Sequence, residues 1–263
     1  MTEQAQQARA LLSLREVTRR FGGLVAVDRL SFEVPEGGVF SVIGPNGAGK
    51  TTAFNLISGL VPPSDGQLLF RGASIVGTKP YELARLGLAR TFQNIRLFGA
   101  ATVWENVAVA SALRAPTGFV QAMWRLAGFE ASRKAQEAAA LEWLDFVGLS
   151  SLRNELARNL AYGQQRRLEI ARALATRPSL LLLDEPAAGM NPRETEDLVE
   201  LIGRIRALGL TVLLIEHDMP LIMRLSDRIA VMNFGHKIAE GTPAEIQANP
   251  EVIKAYLGDG EEG

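Results

Sequence analysis

Leu160–Pro186 reads LAYGQQRRLEIARALATRPSLLLLDEP. This segment joins a glycine-glutamine helix start, a helix, a wholly apolar run and an acidic pair. An apolar strand ending in Asp184-Glu185 holds one carboxylate at a strand tip, where it can serve a metal ion, with a second beside it. Such a pair has chemical use when a phosphate site lies elsewhere in the chain. Gly44-Pro45-Asn46-Gly47-Ala48-Gly49-Lys50-Thr51 supplies one, fitting the phosphate-loop pattern G-x-x-x-x-G-K-[ST].

Outward from this segment, strand and helix alternate. Leu180–Leu183 reads as a buried strand. A helix follows Asn191-Pro192, with Leu198, Leu201, Ile202, Ile205 and Leu208 at helical spacing and Gly209 as its stop. Thr211–Ile215 is another buried strand, and Arg228–Asn233 and Lys237–Ala239 flank Phe234-Gly235 as a hairpin. Thr242-Pro243-Ala244-Glu245 is a capping box opening a last helix. Towards the N-terminus, Leu12–Val17, Leu30–Val34 and Gln67–Phe70 read as strands, and Val39–Ile43 as a buried strand leading into the glycine loop. Lys50–Ile57 continues as a helix stopped by Gly59, and Thr78 and Pro80 open one that ends at Gly87. From Val103 to about Asn159 the pattern is helical and Ala-rich, an insertion in an α/β protein. The expected fold is therefore a mainly parallel sheet with helices on both faces, plus antiparallel N-terminal strands and a helical insertion.

The 263 residues suffice for one large domain or two modest ones. With 28 basic against 29 acidic residues the chain advertises no nucleic-acid field, and no nucleic-acid partner is expected. The absence of cysteine excludes a disulfide framework and any cysteine metal site. Met1–Ala10 is polar and Gln- and Ala-rich, without the basic start and apolar run of a secretion signal. The longest apolar runs are strand-sized, so the chain is expected to be soluble or peripheral to a membrane.

A buried strand, a glycine loop and a helix in succession are the context a phosphate site needs. The glycines let backbone N–H groups turn inward, and the helix start adds the positive end of its dipole. Lys50 would neutralise β- and γ-phosphates and the Thr51 hydroxyl would bind Mg²⁺. Asp184 would hold Mg²⁺ through water, and Glu185 could polarise an attacking water. His217 follows the strand Thr211–Ile215 at the sheet edge where open α/β sheets bind ligands.

Kinases, GTPases, helicases and transport ATPases all carry such a loop. Leu160-Ala161-Tyr162-Gly163-Gln164, placed shortly before the apolar strand and Asp184-Glu185, separates them. That order resembles the ATP-binding cassette (ABC) ATPases, whose signature loop reads L-S-G-G-Q, over roughly Leu12 to Gly258. The resemblance implies an α/β P-loop NTPase core with an N-terminal antiparallel β subdomain and a helical subdomain at about 95–162. It makes 11–258 a single ABC ATPase domain, with 1–10 disordered and 259–263 an acidic tail. The nucleotide set it implies is Phe21 as the adenine-stacking aromatic, Gly44 to Thr51, and Thr52. In trans it adds Ala161, Tyr162, Gly163 and Gln164, which would meet the ATP of an opposite subunit. Gln93 in Thr91-Phe92-Gln93-Asn94 matches the loop that touches Mg²⁺ and the water, so the metal set becomes Thr51, Gln93 and Asp184. Glu185, His217, Lys50 and Gln93 form the implied catalytic set, and Ala187–Asn191 takes the place of the D-loop.

Two positions depart from the family pattern. Ala161-Tyr162 replaces Ser-Gly, which removes a hydroxyl that normally reaches the opposite γ-phosphate, and Asn191 replaces Asp, where with Pro192 it also suits a helix cap. The runs L-A-Y-G, Q-R-R-L-E-I-A-R, D-E-P-A-A-G-M-N-P, I-E-H-D-M and A-Y-L-G resemble the ATP-binding subunits of branched-chain amino acid importers. The same resemblance implies ATP and Mg²⁺ as cofactors and integral membrane permease subunits as partners. It also implies a second ATP-binding subunit, identical or different, an external solute-binding protein acting indirectly, and a place on the cytoplasmic face of the inner membrane. Urea, amide and lipopolysaccharide transporters are near relatives. A non-transport ABC ATPase is the alternative, though such proteins usually carry two cassettes or a long coiled coil. Gln93–Phe98, with its apolar Ile95, Leu97 and Phe98, is the candidate permease contact; the alternative is that these three are core residues anchoring the insertion. Phe119, Met123, Trp124, Leu126 and Phe129 form an apolar cluster best read as core.

Overall fold

The computed structural model describes residues 10–111 and 127–257. The expectations for residues 1–9, for the cluster around Phe119 and Trp124, and for 259–263 fall on residues or side chains outside that description. Its centre is made by β3 (Gly38–Ile43), β7 (Leu180–Asp184) and β8 (Thr211–Ile215), apolar runs buried almost end to end. With β6 (Leu88–Arg90), β9 (Arg228–Asn233) and β10 (His236–Gly241) they form a six-stranded sheet in the order β10-β9-β3-β8-β7-β6. All neighbours are parallel except β10 with β9.

Because successive strand residues face opposite ways, an unbroken apolar run serves two cores. Leu181, Leu183, Val212 and Leu214 pack with Leu168 and Leu174 of α5 (Tyr162–Ala175) and Leu198, Leu201, Ile202 and Ile205 of α6 (Pro192–Ala207). Leu180, Leu182, Leu213 and Ile215 pack on the other side with Phe54 and Leu56 of α1 (Lys50–Ile57). That second face is not covered by helices alone. Leu12, Leu14 and Phe32 reach it from a four-stranded antiparallel sheet, order β2-β1-β4-β5. Its strands are β1 (Ala10–Phe21), β2 (Leu24–Pro35), β4 (Asp65–Phe70) and β5 (Ala73–Ser74).

Other details differ from the sequence pattern. The helix expected from Thr78 is α2 (Pro80–Leu86), and the short edge strand β6 follows its left-handed Gly87 directly. The helical insertion contains α3 (Val103–Ser111) and α4 (Ala127–Phe146), but it is not helical through to Asn159. Gly148 takes a φ of 72°, and two short 3-10 turns at Ser150–Leu152 and Ala157–Asn159 carry the chain to α5. The last elements are α7 (Met219–Leu225), α8 (Pro243–Gln247), opened by the expected Thr242–Glu245 box, and α9 (Pro250–Leu257). Among the described residues no helix is long and apolar enough to cross a membrane.

The register carries the function. Val42 pairs with Ile215, and Asp184 also pairs with Ile215, so the glycine loop, Asp184-Glu185 and His217 all leave the same edge of the sheet. That is the carboxyl edge, where parallel α/β sheets place their ligands.

Candidate active site

Three loop glycines hold backbone angles that a side chain would resist: Gly44 (φ 150°), Gly47 (φ 82°) and Gly49 (φ 98°). A Cβ on Gly49 would stand 2.5 Å from the Ala26 carbonyl, and one on Gly44 would collide with the Met232 carbonyl. The loop therefore closes only with glycine at these points. It feeds α1, whose first turn aims its N–H groups at the same space. Lys50 is buried, and its Nζ donates to the Gly44 and Pro45 carbonyls at 2.7 and 2.9 Å. Burial pushes its pKa down, and the Glu185 carboxylate works against that shift.

A cleft of about 430 Å³ opens here, lined by Asn46, Gly47, Ala48, Gly49, Lys50, Thr51 and Thr52, with Glu185 opposite. Its apolar wall is Leu24, Val25 and Phe234. Phe21 does not line it: the ring is exposed at the end of β1, with the Arg19 guanidinium 4.5 Å above it.

The other side of the cleft is built from strand ends. Asp184 Oδ2 accepts from Arg90 Nη2 at 2.8 Å, and Arg90 Nη1 donates to Asn55 Oδ1 at 2.9 Å and Ser58 Oγ at 2.6 Å. Glu185 adopts a φ of 45°, a left-handed backbone that costs a non-glycine residue about 1–3 kcal/mol and that recurs at functional sites. That conformation turns the carboxylate toward Gln93, whose Nε2 donates to Oε2 at 2.8 Å, and toward His217, whose Nδ1 lies 4.0 Å from the same oxygen. Behind them Glu216 is buried and accepts from the Ala187 and His217 N–H groups at 2.8 and 3.2 Å. Burial pushes its carboxyl pKa up, and those two donors hold the rise back. Gln93, Glu185 and His217 are thus brought together facing Lys50.

The signature residues stand apart from this cleft. Ala161 is the N-cap of α5 and offers no side-chain acceptor; Gln164 Oε1 takes the Ala161 N–H instead, at 3.1 Å. Gly163 is buried against Glu194, where a Cβ would stand 2.6 Å from Oε1. Asn191 acts as the cap anticipated for it: its Oδ1 accepts from Glu194 N–H at 3.0 Å. The described residues contain no cluster of three or more His, Asp or Glu side chains able to hold a metal. The donors at hand are a hydroxyl, an amide and a carboxylate around a phosphate loop, which suits Mg²⁺, an ion that prefers few protein ligands beside phosphate and water.

The family model described as "ABC transporter" matches residues 27–188. The chain is also 49% identical over 253 residues to the high-affinity branched-chain amino acid transport ATP-binding protein BraF of Pseudomonas aeruginosa, covering 96% of this chain and 99% of that one. The chain belongs to the ABC transporter ATP-binding family. It is 47% identical to LivG of Escherichia coli, a protein of the same description, over 95% of this chain and 98% of the other. A nucleotide-free ATP-binding cassette from an ABC transporter superimposes with a TM-score of 0.82 at 31% identity, covering 95% of this chain and all of that one. The ADP conformation of MJ1267, an ATP-binding cassette of an ABC transporter, gives the same TM-score of 0.82 at 31% identity, covering 95% of this chain and 99% of that one. A second model, the branched-chain amino acid ATP-binding cassette transporter, matches residues 236–262.

This ABC ATPase has site residues that its sequence did not announce. Arg90 sits in the short strand β6, and its tie to Asp184 spans 94 positions. Arg166 and Glu169 form a wholly buried ion pair on α5 at 2.8 Å. Their i,i+3 spacing was a usable signal, but nothing in the spacing says that the pair faces inward.

Proposed function

We propose that this chain is the ATP-hydrolysing subunit of a branched-chain amino acid importer, attached to permease subunits at the cytoplasmic face of the membrane. The observation that carries this reading is the near full-length identity to BraF and LivG, proteins named for branched-chain amino acid transport. The match of residues 236–262 to a model of the same subfamily supports it.

In this reading the phosphate loop and Lys50 would bind the ATP phosphates, and Thr51, Gln93 and Asp184 would hold Mg²⁺. When bound, Mg²⁺ supplies charge neutralisation on the phosphate oxygens. Glu185 orients the attacking water and takes its proton at Oε1 or Oε2, while His217 lies beside it to steady the charge that develops on the γ-phosphate. Phe21, at the edge of the site, would turn to cover the adenine. The signature residues Ala161, Tyr162, Gly163 and Gln164 serve the nucleotide of a second ATP-binding subunit, identical or different, through the N–H groups at the start of α5.

A second cleft, of about 760 Å³, suits the permease. Leu60, Leu88, Phe92, Leu97, Phe98 and Val109 line it, Phe98 being 54% exposed. Leu97 also packs on the core, so it anchors the loop while Phe98 offers the free apolar face. The test is reconstitution with the permease subunits in liposomes containing a solute-binding protein. Leucine-loaded binding protein should stimulate ATP hydrolysis. Stimulation by urea- or amide-loaded binding protein alone would move the chain to another importer class.

A further inference from the structure

Tyr162 stands where the family signature has glycine, and its hydroxyl has work within its own chain. It donates to the Ala188 carbonyl at 2.9 Å and accepts from Arg166 Nη2 at 3.2 Å. Arg166, wholly buried, donates through Nη1 to the Phe92 carbonyl at 2.7 Å and through Nη2 to the Gln93 carbonyl at 2.8 Å. Glu169 holds the guanidinium from behind and accepts weakly from Phe92 N–H. The Tyr162 ring lies over Gly189, whose left-handed φ of 78° leaves that face bare, 3.5 Å from where a Cβ would stand.

These contacts close a circuit. Gln93 Nε2 binds the Glu185 carboxylate at 2.8 Å, and the Glu185 carbonyl accepts the Ala188 N–H at 3.2 Å. Glu185, Gln93, Arg166, Tyr162 and Ala188 are thus linked in a ring that passes through three separate segments. A glycine at 162 would leave the ring open between Arg166 and Ala188.

We propose that the Tyr162 hydroxyl is a positioning group that couples the Gln93 loop to the Ala187–Asn191 loop, so that the two shift together with α5. The part of this that concerns turnover rests on the ATPase reading above; the coupling itself does not. A displacement of Gln93, whose neighbour Phe92 lines the larger cleft, is then delivered to Ala188 and to the backbone of Glu185. The hydroxyl, rather than the ring, makes the connection, which separates this role from a direct contact with nucleotide.

Tyr162→Phe tests it, because the ring stays on Gly189 and only the two hydrogen bonds are lost. Amide hydrogen exchange on the full chain should rise about two- to tenfold in peptides carrying Ala188–Met190, the range expected for one local hydrogen bond. Peptides from β7 and β8 should not change. In the chain assembled with its permease and partner ATPase subunits, kcat should fall while KM for Mg-ATP stays within about twofold. Unchanged exchange at Ala188–Met190 overturns the proposal. So does a raised KM with kcat intact, which would make Tyr162 a nucleotide contact. A wild-type assembly without turnover would count against the ATPase reading, and the exchange result would still decide the coupling.

Discussion

Arg90→Met should destabilise this protein by several kcal/mol, because it strands a buried carboxylate. The Arg90 and Asp184 side chains are each 6% exposed and meet at 2.8 Å. Methionine fills much of the volume of the arginine stem, so the loss is electrostatic. It leaves the Asp184 carboxylate in the interior without its counter-charge and strips Asn55 and Ser58 of a donor. Removing one partner of a buried pair costs about 3–5 kcal/mol. With a urea m value of about 3 kcal/mol per molar, the unfolding midpoint drops by roughly 1 to 1.7 M. The double variant Arg90→Met with Asp184→Asn has no stranded charge and should recover about half of the loss. Urea unfolding followed by far-UV circular dichroism reads both. A drop below about 1 kcal/mol in the single variant, or a double variant no more stable than the single, would refute the claim that Arg90 is there to neutralise Asp184.

Three further outcomes follow from the same geometry. Glu185→Gln should keep ATP binding, lower turnover by about 10²- to 10⁴-fold and accumulate an ATP-bound dimer visible by gel filtration; near-normal hydrolysis would remove Glu185 from the catalytic role. Ala161→Ser should add a missing N-cap to α5, raising stability by about 1 kcal/mol, while hydrolysis stays within about twofold; a large gain in hydrolysis would mean that the signature hydroxyl is a true deficit. Lys50→Met should abolish nucleotide binding yet stabilise the ligand-free chain, because burial disfavours the Lys50 charge. A lysine with its folded pKa depressed binds fewer protons folded than unfolded. Wild-type stability therefore rises as pH climbs from the depressed pKa toward the ordinary lysine value. Lys50→Met should lack that rise in a pH series of thermal melts, and a parallel rise in both proteins would assign it to other groups.

The strands that carry the site were legible because their chemistry is local. Leu180–Leu183 and Thr211–Ile215 are unbroken apolar runs, and a glycine loop between strand and helix has few other uses. Glu185 and His217 were marked by their places at strand ends, and Gln93 through resemblance alone; that the three meet was not legible, since it depends on the register that sets Asp184 beside Ile215. Arg90 and Glu216 were not legible. Each looks like a solvated charge in sequence, and each is buried by contacts that span long stretches of chain. What covers the second sheet face was not legible for a related reason: an unbroken apolar run shows that both faces are covered, not whether helix or sheet covers them. The segment after Gly148 kept an apolar content that suits a helix, while its glycine and short polar residues favoured turns.

The left-handed backbone of Glu185 implies a trade between endurance and work. The side chain we propose as catalytic is aimed by a conformation that glycine would adopt without strain. Glu185→Gly should therefore give a chain that is hardier than its parent and inert. In a selection for heat resistance alone, this position would drift toward silence, and only the demand for turnover keeps a carboxylate there.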